Sequence, residues 1–283
     1  MIFLAISILS STGIFVLFKL FRKYNVNTLH ALIVNYITAV TCGLLIQNKE
    51  INLSDIIGSS YFYAAICLGF LFISIFYVMA LTAQRNGLSV ASVASKMSVI
   101  IPVLFGIIIY NEGAGMLKII GIILALFAVY LTSVKPKSDI VLSRSIYLPI
   151  ILFLGSGIID TGTNHFAPEN EKPLFLALIF GIAGSIGILI STYQSLKKKL
   201  PFKIKTIPFG VALGLVNYSS MHYLLKALRV EGFESSTIFT VNNVAIVALS
   251  TLFGLVIFKE KISSKNWIGI GIALISIVLV TLY

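Results

Sequence analysis

The feature that most constrains this chain is a succession of ten mainly apolar runs, separated by gaps too short to hold a soluble domain. They fall at 1–20, 28–47, 59–82, 89–110, 115–134, 146–165, 173–195, 206–226, 236–258 and 265–283. Each approaches the roughly 20 residues a helix needs to cross about 30 Å of hydrocarbon. In that medium the backbone must satisfy its own hydrogen bonds, and a helix does so within one segment. Composition points the same way. The chain is 58% hydrophobic and 11% charged, whereas soluble domains are about 45–50% apolar and about 25% charged. The residues therefore predict an all-α membrane protein of ten transmembrane helices. The opening Met1 to Phe18 has no basic region before it and no separate small-residue cleavage site before Lys19. It reads as a retained first span rather than a leader.

A net charge of +11 could indicate nucleic acid, but the basic residues sit in the short gaps, not along one helical face or in a tail. Such placement reports orientation in a bilayer. Fifteen of the 21 Lys and Arg residues occupy odd-numbered gaps, five occupy even-numbered ones, and Lys96 alone lies deep inside a run. The positive-inside rule then places the odd gaps in the cytoplasm and both termini outside, in a bacterial inner membrane. Cys42 and Cys67 lie within apolar runs and are too few for a disulfide framework or a thiolate metal site. Three dispersed histidines, His30, His165 and His222, lack ligand spacing, and no Gly-rich phosphate loop with a following Lys-Ser/Thr occurs. Neither a cofactor nor a metal is expected, and a membrane-embedded enzyme or an ATP-driven pump is disfavoured.

The two halves match each other. Gly43-Leu44-Leu45-Ile46 recurs as Gly187-Ile188-Leu189-Ile190, and Leu68-Gly69 as Leu213-Gly214. Phe105-Gly106 with Tyr110-Asn111-Glu112 recurs as Phe253-Gly254 with Phe258-Lys259-Glu260, and Gly121 matches Gly269. The offsets are 144, 145 and 148, so the register barely drifts. Residues 1–134 and 146–283 thus read as two five-helix repeats joined by 135–145. Because five is odd, the second repeat enters the membrane from the opposite side. An inverted pair of this kind has a pseudo-two-fold axis in the membrane plane and can open to either face.

Ten spans in a five-plus-five inverted repeat resemble the drug/metabolite transporter superfamily, EamA type. The resemblance covers essentially the whole chain. Its local marks are Gly87, Ala91-Ser92, Pro102, Glu112 and Gly121 in the first half, and Gly232, Ser235-Ser236, Glu260 and Gly269 in the second. Two departures stand out. Val247 or a neighbour takes the place of Pro102, and Asn111 and Lys259 stand where members often have Gly before the Glu. The resemblance implies a secondary transporter working by alternating access. Its members export amino acids, drugs and other metabolites, with sugar-nucleotide relatives in eukaryotes, so the substrate is not carried over. A small polar metabolite is the expected substrate and export of amino acids or related solutes the first expectation, with drug or cation efflux or metabolite uptake as alternatives. Partners are then the lipid bilayer, the solute and a coupling proton, in a monomer or homodimer.

Polar groups within spans cost several kcal/mol when unpaired, which makes them the candidate substrate-binding residues. Lys96 is too far from either end of its run to snorkel, and Asp160, with Thr161, Thr163 and Asn164 nearby, is its expected partner across the repeat interface. Together they suit a zwitterion. Asn217, Tyr218 and His222 share the eighth run, the last two on one helical face, and Tyr77 answers His222 in the other half. Asn242 and Asn243 interrupt the ninth run. Glu112 and Glu260 read as helix caps or loop hydrogen-bond acceptors, and Pro102 is expected to free the Ser98 carbonyl and kink its helix.

Overall fold

Apolar runs of this length with few internal breakers have one economical conformation, and the computed structural model takes it throughout. The structure describes residues 2–46, 58–59, 61–109, 115–133, 147–166, 172–198, 202–227 and 235–282. Asn111, Glu112, Gly232 and the junction 135–145 lie outside them. The helices are α1 (Ile2–Lys23), α2 (Thr28–Ile46), α3 (Phe62–Arg85), α4 (Leu88–Met97), α5 (Ile100–Ile109), α6 (Met116–Ser133), α7 (Tyr147–Phe166), α8 (Lys172–Lys198), α9 (Ile207–Ala227), α10 (Ser235–Val256) and α11 (Ser264–Leu282). Among the described residues there is no strand.

Local chemistry sets several of the ends. Pro149, Pro173 and Pro208 lie in the first turns of α7, α8 and α9, where an N–H has no intrahelical acceptor to lose. Arg22 and Lys23 close α1 and Arg85 closes α3, cations at the negative end of the helix dipole.

Among the described residues six stretches are long and apolar enough to cross a bilayer: Ile2–Lys23, Thr28–Leu45, Phe62–Arg85, Leu88–Ile109, Leu174–Lys197 and Ile238–Val256. Met116–Thr132 and Ser264–Val280 are shorter apolar helices. The outer surface is as apolar as the core. On α6, Ile122, Ala125, Ala128 and Val129 are buried while Ile119, Ile123, Leu126, Phe127 and Tyr130 face outward. Water does not tolerate so continuous an exposed apolar surface, but lipid does. The chain is an all-α integral membrane protein.

One large core joins α1, α2, α3, α4, α7, α8, α9 and α10 around Phe18, Tyr36, Phe175 and Leu213. A smaller one holds residues of α4, α5, α6, α7, α10 and α11 around Met97, Ala125, Val247 and Ile277. Helices in lipid gain little from hydrophobicity and rely on close approach over small residues. At Gly121 an added methyl would stand 2.8 Å from Val280, and at Gly269 it would stand 2.8 Å from Thr132. At Gly69 it would meet Ile182 at 2.6 Å and the Ile179 carbonyl at 3.1 Å; at Gly214 it would meet Thr38 at 2.5 Å and the Asn35 carbonyl at 2.7 Å. Gly43 lies against Tyr218 and Ala177, and Gly187 against Ile73 and Ile33. In each pair both glycine and neighbours trade places under offsets of 144, 145 or 148 residues.

A side chain at Gly121 must therefore separate α6 from α11. Gly121→Ile should cost about 1–3 kcal/mol by overpacking, read as a lower melting temperature in detergent. Gly181→Ala, where an added methyl meets nothing within 4 Å, should leave it unchanged. Equal melting of wild type and Gly121→Ile would show that this contact is loose.

Candidate functional site

The run read from the sequence as one span, 89–110, is two helices. Pro102 has no N–H to give the Ser98 carbonyl, which takes the Ile101 N–H at 2.9 Å instead. Ser98 Oγ donates to the Ser95 carbonyl at 2.6 Å. The chain passes from α4 to α5 through Ser98 and Val99, roughly 15 Å along the span from Leu88 at 1.5 Å per residue. Two helix ends of opposite polarity thus meet inside the protein, the arrangement that substrate sites of membrane carriers use.

Lys96 lies in the last turn of α4, at the negative end of its dipole. Asp160, on α7, is beside the start of α5, its Oδ2 3.5 Å from Ser98 Oγ, whose single proton has the shorter contact to the Ser95 carbonyl. Gly157, one turn before Asp160, lies directly against Ile101, which lets α7 and α5 approach. Lys96 and Asp160 are near enough for their charges to couple, yet they do not close into a contact ion pair. An ammonium and a carboxylate held apart in this way can each take the opposite charge of a ligand between them.

The remaining predicted residues fall into other groups. Asn217 is 8% exposed, and its Nδ2 donates to Asn35 Oδ1 at 3.3 Å, tying α9 to α2. Ser7 Oγ donates to the Ser220 carbonyl at 2.8 Å and lies 3.4 Å from Asn242 Oδ1, tying α1 to α9 and placing it beside α10. Asn243 is buried next to it. These amides serve first as interhelical ties, since hydrocarbon offers them nothing else. Tyr218 and His222 stack with ring centroids 5.7 Å apart and line an apolar cleft of about 70 Å³ with Gly43, Phe180 and Met221. Tyr77 is 40% exposed and lines neither this cleft nor the charged cavity described below. The i, i+4 spacing put Tyr218 and His222 on one face as expected, but a repeat offset does not say which way a helix is turned, and Tyr77 is turned outward.

One functional feature was only half visible in the sequence. Glu260 does cap a helix, but the helix is α4, 172 residues away: both carboxylate oxygens accept the Leu88 N–H, at 3.1 and 3.0 Å. The same carboxylate pairs with Lys19 Nζ at 2.6 Å. Gly87, at φ 110°, and Gly254 make room, because a methyl on either would stand within 2.8 Å of Glu260. The signal available was a Glu recurring in matched loops; the partners needed the tertiary structure.

The amide tie gives a direct test of this division. Asn35→Leu strands the Asn217 amide and should cost about 1–3 kcal/mol, measured as a loss of thermal stability in detergent. Asn35→Leu/Asn217→Leu should recover much of that loss. A double variant as unstable as the sum of both singles would mean that the two amides do not act as a pair.

No family model matches the chain. A protein of Haemophilus influenzae described as an uncharacterized protein is 28% identical over 280 residues, covering 97% of this chain and 95% of its own. A protein of known crystal structure is similar with a TM-score of 0.58 at 14% identity, over 98% of this chain and 97% of that one. At that identity the likeness shows a shared fold along the full length and nothing of substrate or activity.

Proposed function

We propose that this chain is a secondary-active carrier of the drug/metabolite transporter superfamily, EamA type, which exports amino acids or related polar solutes across a bacterial inner membrane by alternating access. In this reading ten spans form two inverted five-helix repeats, with α4 and α5 together making the fourth. The exchange of neighbours around Gly43 and Gly187, Gly69 and Gly214, and Gly121 and Gly269 supports the repeat. Contacts that swap under a fixed offset are what an in-plane two-fold axis produces.

The observation that carries the transport reading is the unclosed pair of Lys96 and Asp160 at the break in the fourth span. A charge at mid-membrane costs about 2.5–3.5 kcal/mol on insertion scales, and a structural ion pair would recover more of that by closing. A solute with both charges, such as an amino acid, completes the pair: its carboxylate meets Lys96 and its ammonium meets Asp160. An acidic, aromatic-lined chamber would suit lipophilic cations better, and Lys96 opposes them. The Lys19–Glu260 contact joins α1, α4 and the α10–α11 connection at the odd-gap end, so it must part when the site opens there.

The test is a panel of amino acids and related solutes in proteoliposomes with an imposed pH gradient. Lys96→Ala and Asp160→Asn should each lower transport by about tenfold or more, the worth of one charge-assisted hydrogen bond, at unchanged reconstituted amount. Wild-type rates in Lys96→Ala would remove it from the site. A cysteine added after Tyr283 should react with impermeant reagent from the periplasm; labelling only from the cytoplasm would reverse the orientation.

A further inference from the structure

The odd-gap end holds a cavity of about 190 Å³ that solute binding at Lys96 and Asp160 does not use. Among the described residues that line it are the cations Lys19, Arg22 and Lys261, with Glu260 as the single carboxylate. Glu260 is already engaged by Lys19 and by the Leu88 N–H, so it answers little of the remaining positive charge. Arg22 is held at the rim by a 2.7 Å bond from Nη1 to the Gln84 carbonyl, which leaves the rest of its guanidinium fork available.

A second observation points into the same space. Ser89 lines the cavity, is 4% exposed, and its Oγ has no hydrogen-bond partner. A buried hydroxyl without a partner costs about 1–3 kcal/mol, and here a ligand oxygen would remove that cost. The hydroxyl also sits in the first turn of α4, at the positive end of its dipole, next to the Leu88 N–H that Glu260 already takes.

We infer that this cavity binds a phosphate-bearing anion. The Arg22 guanidinium fork beside a buried hydroxyl favours a tetrahedral oxyanion with several acceptor oxygens over a single carboxylate. The volume is well below the 300–1,000 Å³ of drug-sized sites, which suits one phosphate group. Arg22 and Lys261 hold its outer oxygens, Ser89 donates to an inner one, and Glu260 competes with it for Lys19. The group can come from a free phosphate or from the headgroup of an anionic phospholipid. The inference stands independently of the transport reading, because it requires no transported solute.

The experiment uses the full chain in nanodiscs at constant ionic strength. Inorganic phosphate is titrated against melting temperature in phosphatidylcholine discs, and a parallel series contains phosphatidylglycerol. Saturable stabilisation by phosphate in neutral discs supports a soluble anion, and stabilisation only by phosphatidylglycerol supports the headgroup. Ser89→Ala should weaken the effective one about tenfold, Lys261→Gln, at an exposed position, should weaken it too, and Glu260→Gln should tighten it about tenfold. Absence of stabilisation by both, or equal response in Lys261→Gln and wild type, or no tightening in Glu260→Gln, overturns the site.

Discussion

Hydrocarbon supplies no hydrogen bonds, and almost every feature of this protein follows from that one deficit. Each peptide group must find its partner within its own helix, which is why the described chain is helical with no strand. The place where the rule is relaxed, at Ser98 and Val99, is then the place to look for chemistry. Pro102 removes one donor, Ile101 and the Ser98 hydroxyl take up the loose ends, and the gap exposes two helix poles. A cation and a carboxylate stand beside the poles of opposite sign.

The same deficit governs how the helices meet. Side chains gain little from leaving lipid for protein, so the interfaces depend on backbone proximity over Gly43, Gly69, Gly121 and their counterparts. Amide and hydroxyl ties such as Asn35 with Asn217 and Ser7 with the Ser220 carbonyl add direction to contacts that packing alone leaves unspecific. Two cores of unequal size result, and the broken span packs into both, through Leu88, Ala91 and Ala94 on one side and Val93, Met97 and Ile100 on the other.

Much of this was legible in the residues. Run length and polarity marked out the helices, because crossing a bilayer sets a minimum length that few sequences reach by chance. The Pro102 kink was legible too, since a missing donor acts locally. Matching glycines gave a register that the contacts around Gly121 and Gly269 also follow. What was not legible was rotation about each helix axis. Tyr77 and His222 share a repeat position, yet one is turned outward and the other lines a cleft. Asn217 and Asn242 were read as ligand contacts because an amide in a span has a cost, and the same cost is met equally well by a neighbouring helix. The partners of Glu260 were hidden for a related reason: 172 residues separate it from the amide it caps.

That separation bears on how the protein is made. Ser7 waits 235 residues for Asn242, Lys19 waits for Glu260, and the carbonyls of Gly121 and Thr132 wait for Ser276 and Asn266. During synthesis the Ser7 hydroxyl enters the bilayer before either of its partners, Ser220 and Asn242, exists, so it must remain near the insertion machinery or find a temporary neighbour. Assembly of the bundle is therefore a late event that the last three helices complete.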